Sequence, residues 1–352
     1  MRTKDLEEDL DTFELEYPKF GVRLIAALTR GAGRYLTPIR IYGLEGAPVP
    51  ANQVRESIAT QATNLKHKLH GLDRLQLTDT RFSSEFCSAR LGVICEHPTT
   101  SLREVKKLVT DALFALEELT RSDHVAQLDY DLRRKHPSIG TELDTIDFAT
   151  KHTPSAIATV TTFQIALEAF GGKTASPGVA VRGVGDLGSR VVQELTARSF
   201  TPVLVNDVDN TRAEAAADGD RVQSRGDAEL DRAAVGAYIC CADAGTLSVR
   251  RAGALMSNGS LLAVGGPEAG LDHSSEAIAK LQSAGIQFVP SVLCGSMGLV
   301  SNLLESMRAK VDLNDQRERL AITVRAIAEE ALKTRRSFHA VCSDLVRGEL
   351  HV

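Results

Sequence analysis

Residues 179–197, VAVRGVGDLGSRVVQELTA, constrain the fold more than any other stretch of the chain. An apolar run from Val179 to Val181 leads into Gly183-Val-Gly185-Asp-Leu-Gly188, and apolar residues at helical spacing follow. Each glycine answers a different steric need. Gly183 permits a tight turn, Gly185 lets a ligand approach the backbone, and Gly188 lets the helix pack close to the strand. The helix that opens here turns unpaired N–H groups and a positive dipole end toward negative charge, so the turn is expected to cradle a pyrophosphate. A second apolar run, PVLVND, ends at Asp207, 19 residues past Gly188. A carboxylate at that distance accepts from the hydroxyls of an adenosine ribose and repels a 2′-phosphate, so NAD is expected in preference to NADP.

From about residue 178 the rhythm is regular: VAV, a helix, PVLVND, AYICCA, GSLLAV, the helical SSEAIAKLQSAG, then IQFVPSV. Short apolar runs separated by helices predict a buried parallel sheet with helices on both faces. Residues before about 150 have another texture. The amphipathic SLREVKKLVTDALFALEELTR mixes there with strand-like IRIYG, RLQLTD and RLGVIC, an α/β pattern without strict alternation. PSAIATVTTFQIALEAFGG (154–172) reads as a helix ending in glycine that leads into the second domain, and everything after about 302 reads as helix. The expected architecture is therefore α/β: an N-terminal α/β domain (1–152), a Rossmann-type doubly wound dinucleotide-binding domain (153–301), and C-terminal helices (302–352). At 352 residues, more than one hydrophobic core is expected.

Composition narrows the partners. A net charge of -5 argues against nucleic acid, since phosphate binding needs a concentrated basic face. No apolar run approaches the roughly 18 residues of a membrane span, and the acidic start MRTKDLEEDL lacks the pattern of a secretory signal, so the cytoplasm is the expected compartment. The six cysteines have neither paired Cys-x-x-Cys spacing nor histidines at zinc-site distance; they read as small buried hydrophobes, and no metal site is expected. Gly171-Gly-Lys173-Thr174 imitates the end of a P-loop, but it follows a helix and precedes a strand, the reverse of the required order.

Four further stretches carry a resemblance to the glutamate, leucine, phenylalanine and valine dehydrogenase family. They are Ile139-Gly-Thr-Glu-Leu-Asp-Thr-Ile-Asp147, Ala158-Thr-Val-Thr161-Thr-Phe163, Cys241-Ala242-Asp-Ala-Gly245, and Phe288-Val-Pro290 with Gly295-Ser296-Met-Gly298. The resemblance covers about 137–350 well and 60–136 poorly. It implies a cofactor site that adds Thr161, Cys241 and Ala242, with Glu268 standing where the family has an asparagine, to the turn residues Gly183, Gly185, Asp186, Leu187 and Gly188. Asp207, Val208 after it and Gly265 before the Glu268 segment complete the expected cofactor set. It also implies that the first domain (1–152) is a substrate and oligomerisation domain, that the C-terminal helices (302–352) pack back on it, and that the protein is a homo-oligomer acting on a small amino-acid-like substrate.

The departures bear on the chemistry. The family deaminates amino acids with two lysines and an aspartate, one lysine holding the substrate carboxylate and the other activating water. Here the Gly-Gly-Gly-Lys segment is replaced by Cys87-Ser-Ala-Arg90-Leu-Gly-Val93, and Arg90 keeps its proton at any working pH. Ser138 stands at the aspartate position, while Lys66, with Lys68 as second candidate, is the counterpart of the carboxylate-binding lysine. Lys66, Arg90, Ser138 and Ser296 are the expected substrate contacts, and Lys66, Lys68 and Arg90 the candidates for a catalytic part. Hydride transfer at a C=N or C=C bond, or amine oxidation, needs no hydrolytic lysine and is the favoured expectation. Two alternatives stand beside it: true oxidative deamination of an L-amino acid, and an NAD-binding sensor or scaffold whose catalysis has lapsed.

Overall fold

The computed structural model describes residues 10–31, 33–42, 49–95, 102–128, 149–171, 178–242, 246–267 and 275–350. The chain divides into two compact units: Met1–Asp73 with Thr80–Asp147, and Arg74–Asp79 with Phe148–Val352.

The first unit is built on a mixed sheet. Its strands are β1 (Leu10–Tyr17), β2 (Val22–Thr29), β3 (Arg34–Tyr42), β4 (Phe86–Cys95) and β5 (His124–Leu128), in the order β1-β2-β4-β3-β5. Strand β2 is antiparallel to β1 and β4, and β3 runs parallel to β4 and β5. Alternation decides which helix covers which face. Ala89, Leu91, Val93 and Cys95 point to α3 (Leu102–Thr120) and meet its Val105, Leu108 and Val109. Ile94, with Ile25 and Ala27 of β2, points to α1 (Ala51–Leu75) and meets Val54, Ile58 and Ala62. The four-residue α2 (Phe82–Glu85), N-capped by Arg81, leads into β4, and Asp73 accepts the Ser83 amide at 3.0 Å.

RLQLTD is not a strand. Helix α1 continues through Leu75, and Gln76 takes a left-handed φ of 52° that ends it. Leu69, Leu72 and Leu75 form a helical stripe into the core, and Leu77 is buried beyond it. The polar–apolar alternation of 74–79 is thus the meeting of a helix end and a turn, whose period happens to be two.

The second unit contains a wholly parallel six-stranded sheet: β6 (Val179–Arg182), β7 (Val203–Asn206), β8 (Val222–Ser224), β9 (Ala237–Cys240), β10 (Ala263–Gly265) and β11 (Gln287–Val289), ordered β11-β10-β9-β6-β7-β8. Its connections are α5 (Asp186–Ala197), α6 (Asn210–Ala216), α7 (Asp227–Arg232), α8 (Val249–Met256) and α9 (Ser275–Ser283). Ala180, Leu204, Tyr238, Val264 and Phe288 pack on Leu230, Ala252, Leu255, Ile278 and Leu281 of α7, α8 and α9. The opposite face meets α5 and the entry helix α4 (Ala149–Gly171). This is the doubly wound arrangement read from the sequence.

After β11 come the short α10 (Ser291–Cys294), then α11 (Ser296–Ser306), α12 (Leu313–Thr334) and α13 (Phe338–Arg347). The last helices share the second unit with residues 74–79: Thr323 Oγ1 donates to Leu75 O at 3.1 Å, and Arg319 pairs with Asp79 at 3.0 Å. Among the described residues no helix is long and apolar enough to cross a membrane.

Candidate functional site

Strand order places the site. Moving from β6, the chain goes one way to β7 and β8 and the other way to β9, β10 and β11, so β6 and β9 flank the point where the order reverses. Ligands of open α/β sheets bind at the carboxyl ends of the strands at such a point. The glycine turn occupies it.

The geometry of the turn explains its glycines. Gly183 has φ +87°, and a Cβ there would lie 2.7 Å from the Ala242 amide nitrogen, just after β9. Gly188 lies in the first turn of α5, where a Cβ would come within 1.8 Å of Gly183 O. Gly185 differs from both. It is the N-cap of α5, and among the described residues nothing stands within 4 Å of where its Cβ would be. Its lack of a side chain is therefore not demanded by the packing of the described residues, and leaves space over the helix N-terminus where a phosphate can reach backbone N–H groups.

Asp207 stands at the end of β7, 8% exposed. Its Oδ2 accepts from the Val184 amide at 2.8 Å, inside the glycine turn, and its Oδ1 accepts from the Asp209 amide at 3.0 Å. The strand-end carboxylate and the turn are one hydrogen-bonded assembly. Val208, next in the chain, is fully exposed. Cys241 and Ala242 are half-buried; the Cys241 amide donates to Arg182 O at 2.7 Å, and Cys241 Cβ lies 3.3 Å from the place of a Gly188 Cβ. Asp186 is exposed and Leu187 half-buried at the start of α5.

Other expected residues are placed less directly. A Cβ on Gly265 would lie 2.1 Å from Val289 O, so this glycine serves close packing of β10 on β11. Thr161 is buried on α4, and its hydroxyl accepts from Arg198 Nη2 at 3.0 Å, at the C-terminal end of α5 and about 18 Å along that helix from the glycine turn. Thr159, two residues earlier, donates to Cys294 O at 3.2 Å and ties α4 to the segment after β11. Ser296 is 1% exposed and donates to Leu293 O at 2.7 Å, closing the turn from α10 into α11. Glu268, Ser138 and residues 139–147 lie outside the described residues.

In the first unit, Lys66 and Lys68 lie on α1, and Arg90 is half-buried on β4. Ser88 Oγ donates to Ala62 O at 2.8 Å, and Gly92 meets Val54 and Ile58. Arg90, between them, therefore belongs to the middle of β4 on the face that α1 covers. Lys66 lies one helical turn beyond Ala62, where its charge acts on Cys87 near the start of β4. Burial raises the Cys87 thiol pKa and Lys66 opposes that rise. Burial alone pushes Cys95 up to about 11 and, with smaller contributions from neighbouring charges, Cys240 up to about 12. All six cysteines are free thiols, and Cys95 and Cys240 behave as packing residues.

The sequence reading missed the charge beneath the turn. Arg182 is 6% exposed and is held by Asp227, Asp231, Tyr238 and Asn206. The signal present in the sequence was an arginine closing the otherwise apolar VAVR, with two aspartates four residues apart further on.

Together these features define a two-unit α/β protein whose second unit carries a dinucleotide-type glycine turn at the switch point of its sheet. Among solved structures, L-tryptophan dehydrogenase from Nostoc punctiforme matches with a TM-score of 0.71 and 14% identity, covering 98% of this chain and 97% of that one. The hetero-hexameric glutamate dehydrogenase from Thermus thermophilus matches at 0.64 and 17% over 96% and 86% of the two chains. Glutamate dehydrogenase from Plasmodium falciparum matches at 0.63 and 15% over 97% and 82%. These are likenesses of fold. No protein-family model matches the sequence, and no curated protein matches it either.

Proposed function

We propose that the chain is an NAD-dependent oxidoreductase acting on a small amino-acid-like metabolite. The observation that carries this reading is the contrast among the three glycines. Gly183 and Gly188 are required by neighbouring backbone, whereas Gly185 faces space that no described residue fills at a helix N-terminus, which a phosphate resting there would use. Gly183, Gly185, Asp186, Leu187 and Gly188 would hold the pyrophosphate, Asp207 the adenosine ribose, Val208 an apolar face of the adenine, and Cys241 and Ala242 the adjoining ribose. Bound there, the nicotinamide would supply or accept a hydride.

The substrate side rests on the fold shared with tryptophan and glutamate dehydrogenases and on two cations of the first unit. Arg90 can hold a carboxylate bidentately, and Lys66 can hold one as a point charge. With an arginine beside the position of the hydrolytic lysine, reduction of a C=N or C=C bond, or amine oxidation, is favoured over hydrolytic deamination. We further propose a homo-oligomer, the hetero-hexameric Thermus neighbour supporting assembly but not identity of the subunits, and the division into 1–152, 153–301 and 302–352 as its functional segments. The reading is tested with purified protein and NADH against keto acids plus ammonia and against cyclic imines. Oxidation of NADH with any member of either set supports it; tight NADH binding with no turnover on all of them favours a sensor instead.

A further inference from the structure

The strand before the glycine turn ends in a buried charge. Arg182 follows three fully buried apolar residues, and each of its side-chain nitrogens has an acceptor. Its Nε donates to Tyr238 Oη; Nη1 donates to Asn206 Oδ1 at 3.2 Å and to the Asp227 carboxylate; Nη2 donates to Asp231 Oδ1 at 2.9 Å and Asp227 O at 3.3 Å. Tyr238 Oη donates in turn to Asp231 Oδ1 at 2.6 Å. Arg251 completes the cluster, donating to Asp231 Oδ2 at 3.1 Å and to Thr246 O beyond β9. Two guanidinium groups face two carboxylates, so the cluster is neutral as a whole.

Burying a guanidinium costs several kcal/mol unless its donors are satisfied, and an apolar side chain of similar volume would pack the same core without that cost. What an apolar residue would not do is tie β6 to β7, β9, α7 and α8 at one point. The tie to β7 runs through Asn206, which lies opposite Arg182 in the sheet register. Asn206 O accepts from the Gly183 amide at 2.7 Å, its Nδ2 donates to Arg225 O at 2.9 Å, and the next residue is Asp207. Arg182 thus fixes the strand end from which the Asp207 carboxylate reaches the Val184 amide.

We propose that Arg182 is a positioning residue for the cofactor: anchored by Asp227, Asp231 and Tyr238, it holds Asn206, and through Asn206 it keeps the Asp207 carboxylate where the adenosine ribose is read. The inference rests on the dinucleotide reading of the glycine turn. Burial works against the Arg182 charge, but Tyr238 and the two aspartates outweigh it and hold its pKa above the ordinary value, so the anchor keeps its charge at any working pH.

Asn206→Ala and Arg182→Lys test it, the first leaving the whole ion cluster in place. In the apo full-length protein, amide hydrogen exchange at Val184 and Asp209 should quicken about tenfold or more in both variants, and NADH dissociation constants should rise about tenfold, as expected for a displaced charge-assisted contact. The ratio of NADPH to NADH dissociation constants should fall, a change that a general loss of stability does not produce. If exchange at both amides and the cofactor ratio stay at wild-type values in Asn206→Ala, Arg182 is only a core residue, whatever happens to the melting temperature. If exchange quickens but the wild type itself binds no NADH, the dinucleotide reading fails instead, and with it the purpose assigned to the cluster.

Discussion

The Asp207 carboxylate accepts a hydrogen bond from the Val184 amide at 2.8 Å, so the residue proposed to read the ribose also shapes the turn proposed to hold the pyrophosphate. Replacing it removes two functions at once. Asp207→Ser should weaken NADH binding by about 10- to 100-fold, the loss of one or two charge-assisted hydrogen bonds, and should narrow the gap to NADPH. Fluorescence titration with both cofactors measures this, and an unchanged ratio would remove Asp207 from ribose recognition.

The glycines separate fold from function. Gly188→Ala places a Cβ 1.8 Å from Gly183 O, so strand and helix must part, and the change should cost about 1–3 kcal/mol or more along with cofactor binding. Gly185→Ala meets nothing within 4 Å among the described residues. It should melt within about 2 °C of the wild type, since substitutions that disturb no contact change stability by a few tenths of a kcal/mol, yet bind NADH at least tenfold more weakly because the methyl group stands where the phosphate comes closest. A Gly185→Ala protein with wild-type affinity would show that no ligand approaches there.

Much of this was legible in the sequence because the constraints are local. Gly183 and Gly188 each answer to a contact within the same strand–turn–helix unit or the strand beside it, and periodicity found every strand from β6 to β11 except the three-residue β8. What escaped depends on partners distant in sequence. Arg182 meets Asp227 and Asp231 some 45 residues on, and the Thr161 hydroxyl meets Arg198 across two packed helices; neither pairing has a spacing rule. The misread RLQLTD shows the opposite failure, a local period of two that a helix end and a turn produced together.

His124 gives the first unit a pH dependence. It is 8% exposed, stacks on Tyr35 at 4.8 Å, and bonds Thr37 through Nδ1 and Thr120 through Nε2. Burial lowers its pKa to about 4, against a smaller raising effect of Asp123. The folded value lies below the unfolded one, near 6.5, so the unfolded chain takes up the proton first. The stability from the neutral ring is complete above about pH 6.5 and lost as the pH falls toward about 4, by up to about 3 kcal/mol. Urea midpoints across that range should fall less steeply in His124→Gln than in the wild type; parallel slopes would show that His124 is not the titrating group.

The two cations of the first unit can be told apart by kinetics. Arg90→Ala should raise KM for a carboxylate substrate about tenfold or more, by loss of a bidentate pair, and Lys66→Ala should be judged by the same measure. An unaltered KM removes that residue from substrate binding.

The central claim is that the turn from Gly183 to Gly188 holds a dinucleotide. Titration of the purified wild-type protein with NADH and with NADPH, followed by nicotinamide fluorescence, tests it most directly. Saturable one-site NADH binding in the micromolar range, about −8 kcal/mol, with NADPH at least tenfold weaker, is the result expected from this geometry; no saturable binding of either cofactor would contradict it.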